Sequence, residues 1–329
     1  MMKKFIYSLI CTQFLIFNYL FSDNSNFDIL WLDMQIKYLN LDNKFSNQDL
    51  KKSENKFFTN YWLSLKDPIR NLIIGNSNKN FLGTPGLSNA MVRGLHGEFG
   101  LEQRFEECYL TNCLSSNTQL KIKKIQDCDL LPRTSKLFNC STSTLGHLFY
   151  AAKIIENFDN EPKVIVELGG GYGNLTRLLK QIFDDTTIVM FDFPEVLAIQ
   201  YLFLKYTLPG VKIICHENPI NGSLEKGIHL VPVFVMDKCK IDSDIFVSTF
   251  ALTETPEYVQ NVVIENKFFN SKLSYVTGQI NGWQGIGHLF VDHKNVMDGL
   301  RSVYKKVKCE LFHIFSENQF SFETIAIKG

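Results

Sequence analysis

The chain has 329 residues, 45% of them hydrophobic and 21% charged, the make-up of an ordinary globular protein with ample apolar material for a core. Lys plus Arg equals Asp plus Glu at 34 each, so no global field selects a nucleic acid or an anionic membrane as partner. The length suits one large domain with an appendage, or two domains.

The first 22 residues form a hydrophobic segment of their own. Lys3 and Lys4 precede a mostly apolar run from Phe5 to Phe21, the outline of a signal peptide or signal anchor. Against that reading, Ser8, Thr12, Gln13 and Asn18 interrupt the run, and the following "SDNS" is a poor cleavage site. The run is also slightly short for a spanning helix, so a buried amphipathic first helix stays open.

Residues 23–158 read as a mainly helical region that supplies acceptor contacts or a lid. "NFDILWLDMQIKYLNL" and "TSTLGHLFYAAKIIENF" have helical apolar spacing, and "LDNKFSNQDLKKSENK" is a polar connection. "GTPGLSNAMVRGLHGEFG" is glycine-rich and loop-like. The eight cysteines include no C-x-x-C pair and no close Cys/His pairing. Cys108, Cys113, Cys128 and Cys140 are read as buried thiols rather than disulfides.

From residue 159 to 329 short apolar runs alternate with helical ones, which argues for a mostly parallel, doubly wound α/β sheet of Rossmann-like type. The strand candidates are 163–168, 186–192, 211–215, 228–236, 243–252, 272–280, 306–315 and 321–329. The last two, joined by a connection too short for a crossover helix, form a C-terminal antiparallel hairpin.

At the tip of the first strand stands "VIVELGGGYGNLTRLLK", residues 164–180. Ligands bind such sheets outside the carboxyl ends of the strands, and the helix that follows turns its unsatisfied N–H groups toward that place. The spacing is E-x-G-x-G-x-G, with Glu167, Gly169, Gly171 and Gly173 in register and Gly170 between them. A dinucleotide turn, G-x-G-x-x-G, would need a third glycine where Asn174 stands, and no phosphate loop of the G-x-x-x-x-G-K type can be written. Asp192 ends the second strand, where a carboxylate can accept from both hydroxyls of a ribose, and Phe193 beside it can lie against an adenine. NAD also has a ribose and an adenine; the glycine spacing and the terminal hairpin favour S-adenosylmethionine. The plain alternative is a tight turn with Asp192 as a helix cap before Pro194.

These features resemble the first motif of the class I S-adenosylmethionine-dependent methyltransferases. "VIVELGGGYGNLTRLL", "FDFPEVLAIQYLFL", "DIFVSTFALTETPEYV" and "GQING", with "TSTLGHLFYAAKI" upstream, resemble in order the sugar O-methyltransferase family over roughly residues 130 to 285. Asn174 and Thr255 depart from the expected pattern. The resemblance implies methyl transfer to a hydroxyl of a saccharide or nucleotide-sugar acceptor, with no nucleic acid partner. The donor is a cytosolic metabolite, so the expectation is a cytoplasmic protein, the first segment acting at most as an anchor with the catalytic part on the cytosolic side. A sugar hydroxyl is weakly acidic and calls for a base or a metal to assist. Glu254 after the fifth strand, His147 and His288 are the candidates, the bland readings being a first-turn helix acid and structural histidines. Gln279 and Asn281 are candidate ligands of sugar hydroxyls, Asp237 a contact for an adenine amino group, and Tyr172 and Trp283 apolar faces for a sugar ring. No carboxylate and histidine set has the spacing of a metal site. A nicotinamide-dependent oxidoreductase and a non-catalytic module that binds cofactor without turnover are the rivals.

Overall fold

The computed structural model describes residues 25–45, 56–57, 59–92, 100–126, 128, 130–279, 293–316 and 319–329. Residues 1–22, Asn281, Trp283 and His288 lie outside them. Among the described residues, six helices precede the sheet: α1 (Ser25–Phe45), α2 (Asn60–Ile74), α3 (Pro85–Met91), α4 (Gly100–Asn112), α5 (Ser116–Ile122) and α6 (Thr142–Glu156). Then follow β1 (Val164–Leu168), α7 (Asn174–Ile182), β2 (Thr187–Asp192), α8 (Pro194–Thr207), β3 (Ile213–Cys215), β4 (Ile228–Pro232) and β5 (Ile245–Thr249). The chain continues with α9 (Ala251–Glu254), α10 (Glu257–Glu265), β6 (Leu273–Gln279), α11 (His293–Val303), β7 (Lys306–Ser316) and β8 (Gln319–Ile327).

The strands make one eight-stranded sheet in the order β3-β4-β2-β1-β5-β6-β8-β7. Pairings from β3 through β6 are parallel, and β8 runs antiparallel to both β6 and β7. The terminal hairpin is therefore present, with its second strand inserted between β6 and the first. Adjacent residues of β1 are both buried, Ile165 in one core cluster and Val166 in another, because helices cover both faces. On one face α1 contributes Phe27, Trp31, Met34 and Tyr38 to the same cluster as α8. That docking is finished by polar contacts: Asp33 accepts from the Tyr201 hydroxyl, and Tyr38 donates to Glu195 at 3.4 Å.

The sheet reverses its order at β1, since the chain goes first to β2 and later to β5 on the other side. The crevice between the tips of β1 and β5 is thus the topological switch point where such sheets take ligands.

Three local expectations need correcting. The "GTPGL" segment is not a plain loop: Thr84 precedes Pro85 at the first turn of α3, a position where the missing N–H of proline costs nothing. The apolar run 228–236 is strand only to Pro232, where the ring removes a ladder donor; Val233–Lys238 is a 3-10 helix. Cys128 and Cys140 are buried thiols as expected, but Cys108 and Cys113 are exposed on and just after α4.

Candidate functional site

The glycines divide their work. Gly169, Gly171 and Gly173 have positive φ of 72°, 55° and 95°, a region that L side chains avoid. A Cβ on Gly169 would stand 2.0 Å from the Cβ of Ala251, so this glycine lets α9 close against the tip of β1. A Cβ on Gly170 would press on Met190 and Glu167, and one on Gly173 would touch Leu204 and Gln200. Gly171 differs: a Cβ there would meet nothing closer than Met91 of α3, at 3.8 Å. It is the one position of the turn that keeps a cradle open rather than admitting a neighbour.

Three carboxylates stand at or beyond the carboxyl ends of β1, β2 and β5. Glu167 on β1 is 1% exposed; the Thr176 hydroxyl donates to its Oε2, and Oε1 has no hydrogen-bond partner among the described residues. Burial pushes its carboxyl up to about 7, against the opposing pull of the Thr176 bond. Asp192 on β2 accepts from the Phe193 amide at 2.9 Å and from Gln200 Nε2 at 2.8 Å. Burial, assisted by the charges of Glu167 and Glu195, pushes it up to about 8. It is not the cap of α8: Phe193 holds the cap position with Pro194 following, and no side-chain cap bond forms. Glu254 ends α9, three residues beyond Ala251, and burial pushes its carboxyl up to about 7 while a hydrogen bond from Trp62 opposes the shift. Glu254 is also the first-turn acid of the four-residue α9, as the bland reading expects, while Glu257 holds that place in α10. Among the described residues none of the three forms an ion pair.

Several residues that hold the site were not singled out from sequence. Gln200 donates both to Asp192 and, at 2.9 Å, to the carbonyl of Gly171, so one amide fixes the acid and the turn together. Its spacing in D-x-P-E-x-x-x-x-Q was the available signal. Ser248 on β5 donates to the Leu168 carbonyl at 3.1 Å and receives the Leu252 amide at 2.9 Å, binding the β1 tip to α9. Phe250 between them has φ of 66°, a strained non-glycine conformation at the mouth of the crevice. Trp62 comes from α2, its ring edge-on to Phe193 at 5.7 Å and 80°.

His147 on α6 lies beneath the turn instead. Its Nδ1 is 2.7 Å from the Ser143 carbonyl and 3.2 Å from Asn174 Nδ2, and its ring meets Tyr172 at 6.0 Å. Asn174, the departure from the expected pattern, accepts from Arg177 Nε at 2.8 Å and so belongs to this polar layer between α6 and α7. Tyr172 is 1% exposed, packed edge-on against Phe203 and hydrogen-bonded to Ser143, so it offers no face to a sugar. Gln279 is the last residue of β6, paired in register with Ser321. Asp237 sits in the 3-10 helix after β4, with the Tyr258 hydroxyl 3.5 Å away.

No family model and no curated protein sequence matches the chain. Among solved structures it is similar to EvdMO1 at 14% identity and a TM-score of 0.37, covering 55% of this chain and 39% of that one. The chain thus spans about two fifths of the length of that structure. The N-terminal domain of EvdMO1, crystallised with SAH and D-fucose, is similar at 10% identity over 71% of this chain and 100% of that one, with a TM-score of 0.42. Magnesium protoporphyrin IX methyltransferase (ChlM) from Synechocystis PCC 6803 with bound SAH is similar at 8% identity over 69% and 100%, again with a TM-score of 0.42. These are distant likenesses, and no residue role is taken from them.

Proposed function

We propose that the chain is an S-adenosylmethionine-dependent O-methyltransferase whose acceptor is a sugar hydroxyl. The observation that carries this reading is the set Glu167, Asp192 and Glu254, three buried or half-buried carboxylates at or beyond the carboxyl ends of β1, β2 and β5, with no ion-pair partner among the described residues. Where these acids ionise, as pH rises through 7 to 8, the crevice repels a pyrophosphate and attracts a cation or a donor of hydrogen bonds, which disfavours NAD and suits a sulfonium nucleoside. The residues fit that donor in two further respects. The orphaned Oε1 of Glu167 waits for a hydrogen-bond donor, and the cradle at Gly171 would be filled by any Cβ.

When bound, S-adenosylmethionine supplies a methyl group on a cationic sulfur that leaves as a neutral thioether. With the lone pairs that Phe193 and Gln200 leave over, Asp192 would accept from the ribose hydroxyls, and Phe193 beside it would offer its ring to the adenine. Glu254, titrating near neutrality, is the candidate base. It removes the hydroxyl proton as the acceptor oxygen bonds to carbon, and ends protonated. His147 is less suited, because its Nδ1 is engaged below the turn. Gln279 ends β6, and Asn281 and His288 lie outside the described residues.

A cytosolic donor would put the protein on the cytosolic side of any membrane. Among the described residues no helix is long and apolar enough to cross one.

Calorimetry tests the donor assignment: S-adenosylhomocysteine should bind wild type, NAD should not, and Gly171→Val should lose binding while remaining folded. Binding of NAD in place of S-adenosylhomocysteine would overturn the reading. Mass spectrometry after incubation with labelled donor and a panel of nucleotide sugars and glycans tests the acceptor class. A product methylated on carbon or nitrogen would exclude the hydroxyl.

A further inference from the structure

We propose that Gln200 is a positioning residue for the methyl donor. Its amide, oriented by the Gly171 carbonyl, selects the ionised form of Asp192 and makes the glycine turn and the acid respond to ligand as one unit. The identity of the ligand rests on the methyltransferase reading; the hydrogen bonds do not.

Gln200 lies in the middle of α8 and is fully buried. Its side chain passes beside the turn, since a Cβ on Gly173 would stand 3.6 Å from its Cγ. Nε2 carries two hydrogens and both are used. One goes to the Gly171 carbonyl at 2.9 Å and the other to Asp192 Oδ2 at 2.8 Å. Oε1, at the other corner of the amide, has no hydrogen-bond partner among the described residues. A buried carbonyl left in that state is destabilising, and turning the amide over would not cure it. The turned amide would set Oε1 against the Gly171 carbonyl, acceptor against acceptor, and orphan Nε2 instead.

The orientation has an electrostatic consequence. Asp192 meets the N–H end of the amide and never its oxygen. An N–H bonds a carboxylate more strongly than a neutral acid, so Gln200 favours the ionised form. The Phe193 amide acts in the same sense at 2.9 Å. Burial and two acids oppose them, Glu167 on β1 and Glu195 on α8. Glu195 itself faces Tyr38 of α1 at 3.4 Å and Lys66 of α2 at 3.9 Å. On the other side β4 sets Pro232 opposite Asp192, and the 3-10 helix packed against β2 carries Asp237 and Lys238. A residue that only supported the turn would need the bond to Gly171 and not the one to Asp192.

The test uses the full chain and Gln200→Met, which fills similar space and has no N–H. The Asp192 carboxyl, pushed up to about 8 in wild type, is followed by its carbon-13 shift, with Asp192→Asn assigning the signal. Its midpoint should move up by about half a pH unit or more in Gln200→Met. S-adenosylhomocysteine affinity should fall at least about tenfold, and by less than about threefold when Asp192→Asn is already present. The Gly173 amide, bonded to the Gly170 carbonyl at 2.9 Å, should exchange faster with solvent in Gln200→Met. Wild-type affinity should rise between about pH 6 and 8 as Asp192 ionises. In Gln200→Glu that rise should be absent, because a second carboxyl faces Asp192 in place of the donor. An unmoved Asp192 midpoint in Gln200→Met, or affinity losses of the two substitutions that simply add, overturns the assignment. If wild type does not bind S-adenosylhomocysteine, the methyltransferase reading fails, while the carboxyl titration and the Gly173 exchange still decide the role of the amide.

Discussion

Asp192 is a single residue that is desolvated and hydrogen-bonded at the cost of a raised carboxyl. It is 7% exposed, receives two hydrogen bonds, and is pushed up to about 8 with no cation beside it among the described residues. At pH 8 the ligand-free protein must hold a partly ionised carboxylate in a desolvated crevice. Asp192→Asn removes that charge but turns an amide N–H toward a donor, so the net gain should be about 1–2 kcal/mol of stability. Thermal unfolding at pH 8 should therefore show a higher Tm for the variant, with S-adenosylhomocysteine affinity at least about tenfold weaker. A lower Tm would mean that the acid is structural.

The turn offers a second residue-scale contrast. Gly169→Ala forces its Cβ onto Ala251 at 2.0 Å and should destabilise by about 3 kcal/mol or more, since the tip of α9 must move. Gly171→Ala has room and should cost only about 1–2 kcal/mol for its φ of 55°, while still filling the cradle. Equal losses of Tm in the two variants would contradict this division of roles.

At the scale of elements, the turn from α10 to β6 is the strained feature. Lys267, Phe268, Phe269 and Asn270 have φ of 51°, 52°, 56° and 53°, four consecutive residues in the left-handed region. L-residues rarely enter it more than singly, at about 1–2 kcal/mol each. The return is aromatic packing: Phe269 stacks on Phe191 at 5.3 Å and on Phe246 at 6.0 Å, and Phe268 meets Phe246 edge-on at 5.5 Å. Lys267 is exposed and contributes no ring, so Lys267→Gly should relieve its share of strain and stabilise by up to about 1 kcal/mol. Denaturant unfolding would detect this as a higher midpoint at unchanged slope. Nothing in "IENKFFNSK" announces such a turn, because no glycine marks it. The β1, β2 and β5 tips were legible because strand, turn and acid are contiguous in sequence. Trp62, Met91 and Ser248 were not, because their roles arise only when distant elements are brought to the same crevice. The short α3 was signalled by Thr84 and Pro85 but masked by the surrounding glycines.

For the whole molecule, the titrating groups set a pH dependence that runs against the usual carboxylate trend. Glu167, Asp192 and Glu254 are raised to about 7, about 8 and about 7, so the folded chain holds protons that the unfolded chain has released above its ordinary carboxylate range. Their contribution is fully present below that range and is lost as pH rises through 7 and 8. One group at the edge of the sheet acts in the opposite sense. His229 Nε2 donates to the Glu225 carbonyl at 2.7 Å, which leaves its Nδ1 to accept from His216 Nε2 at 2.8 Å. Burial, and the neighbouring His229, lower His216 to about 4, so its contribution is present above about 6.5 and is lost as pH falls toward 4. It is half-buried and screened, so two buried acids and the half-buried Glu254 outweigh it between about pH 5 and 8. The ligand-free protein should therefore melt at a higher temperature at pH 5.5 than at pH 8. Ligand reverses the balance, because ionised Asp192 and Glu167 accept hydrogen bonds better than their neutral forms. The rise in Tm caused by saturating S-adenosylhomocysteine should be larger at pH 8 than at pH 5.5. Scanning calorimetry of wild type, and of the Glu167→Gln and Asp192→Asn double variant, separates the terms. The double variant should lose most of the alkaline fall in Tm and most of the response to ligand. A ligand-free Tm that climbs from pH 5.5 to 8 would show that the three acids are already compensated, and with them the argument for a cationic donor would go.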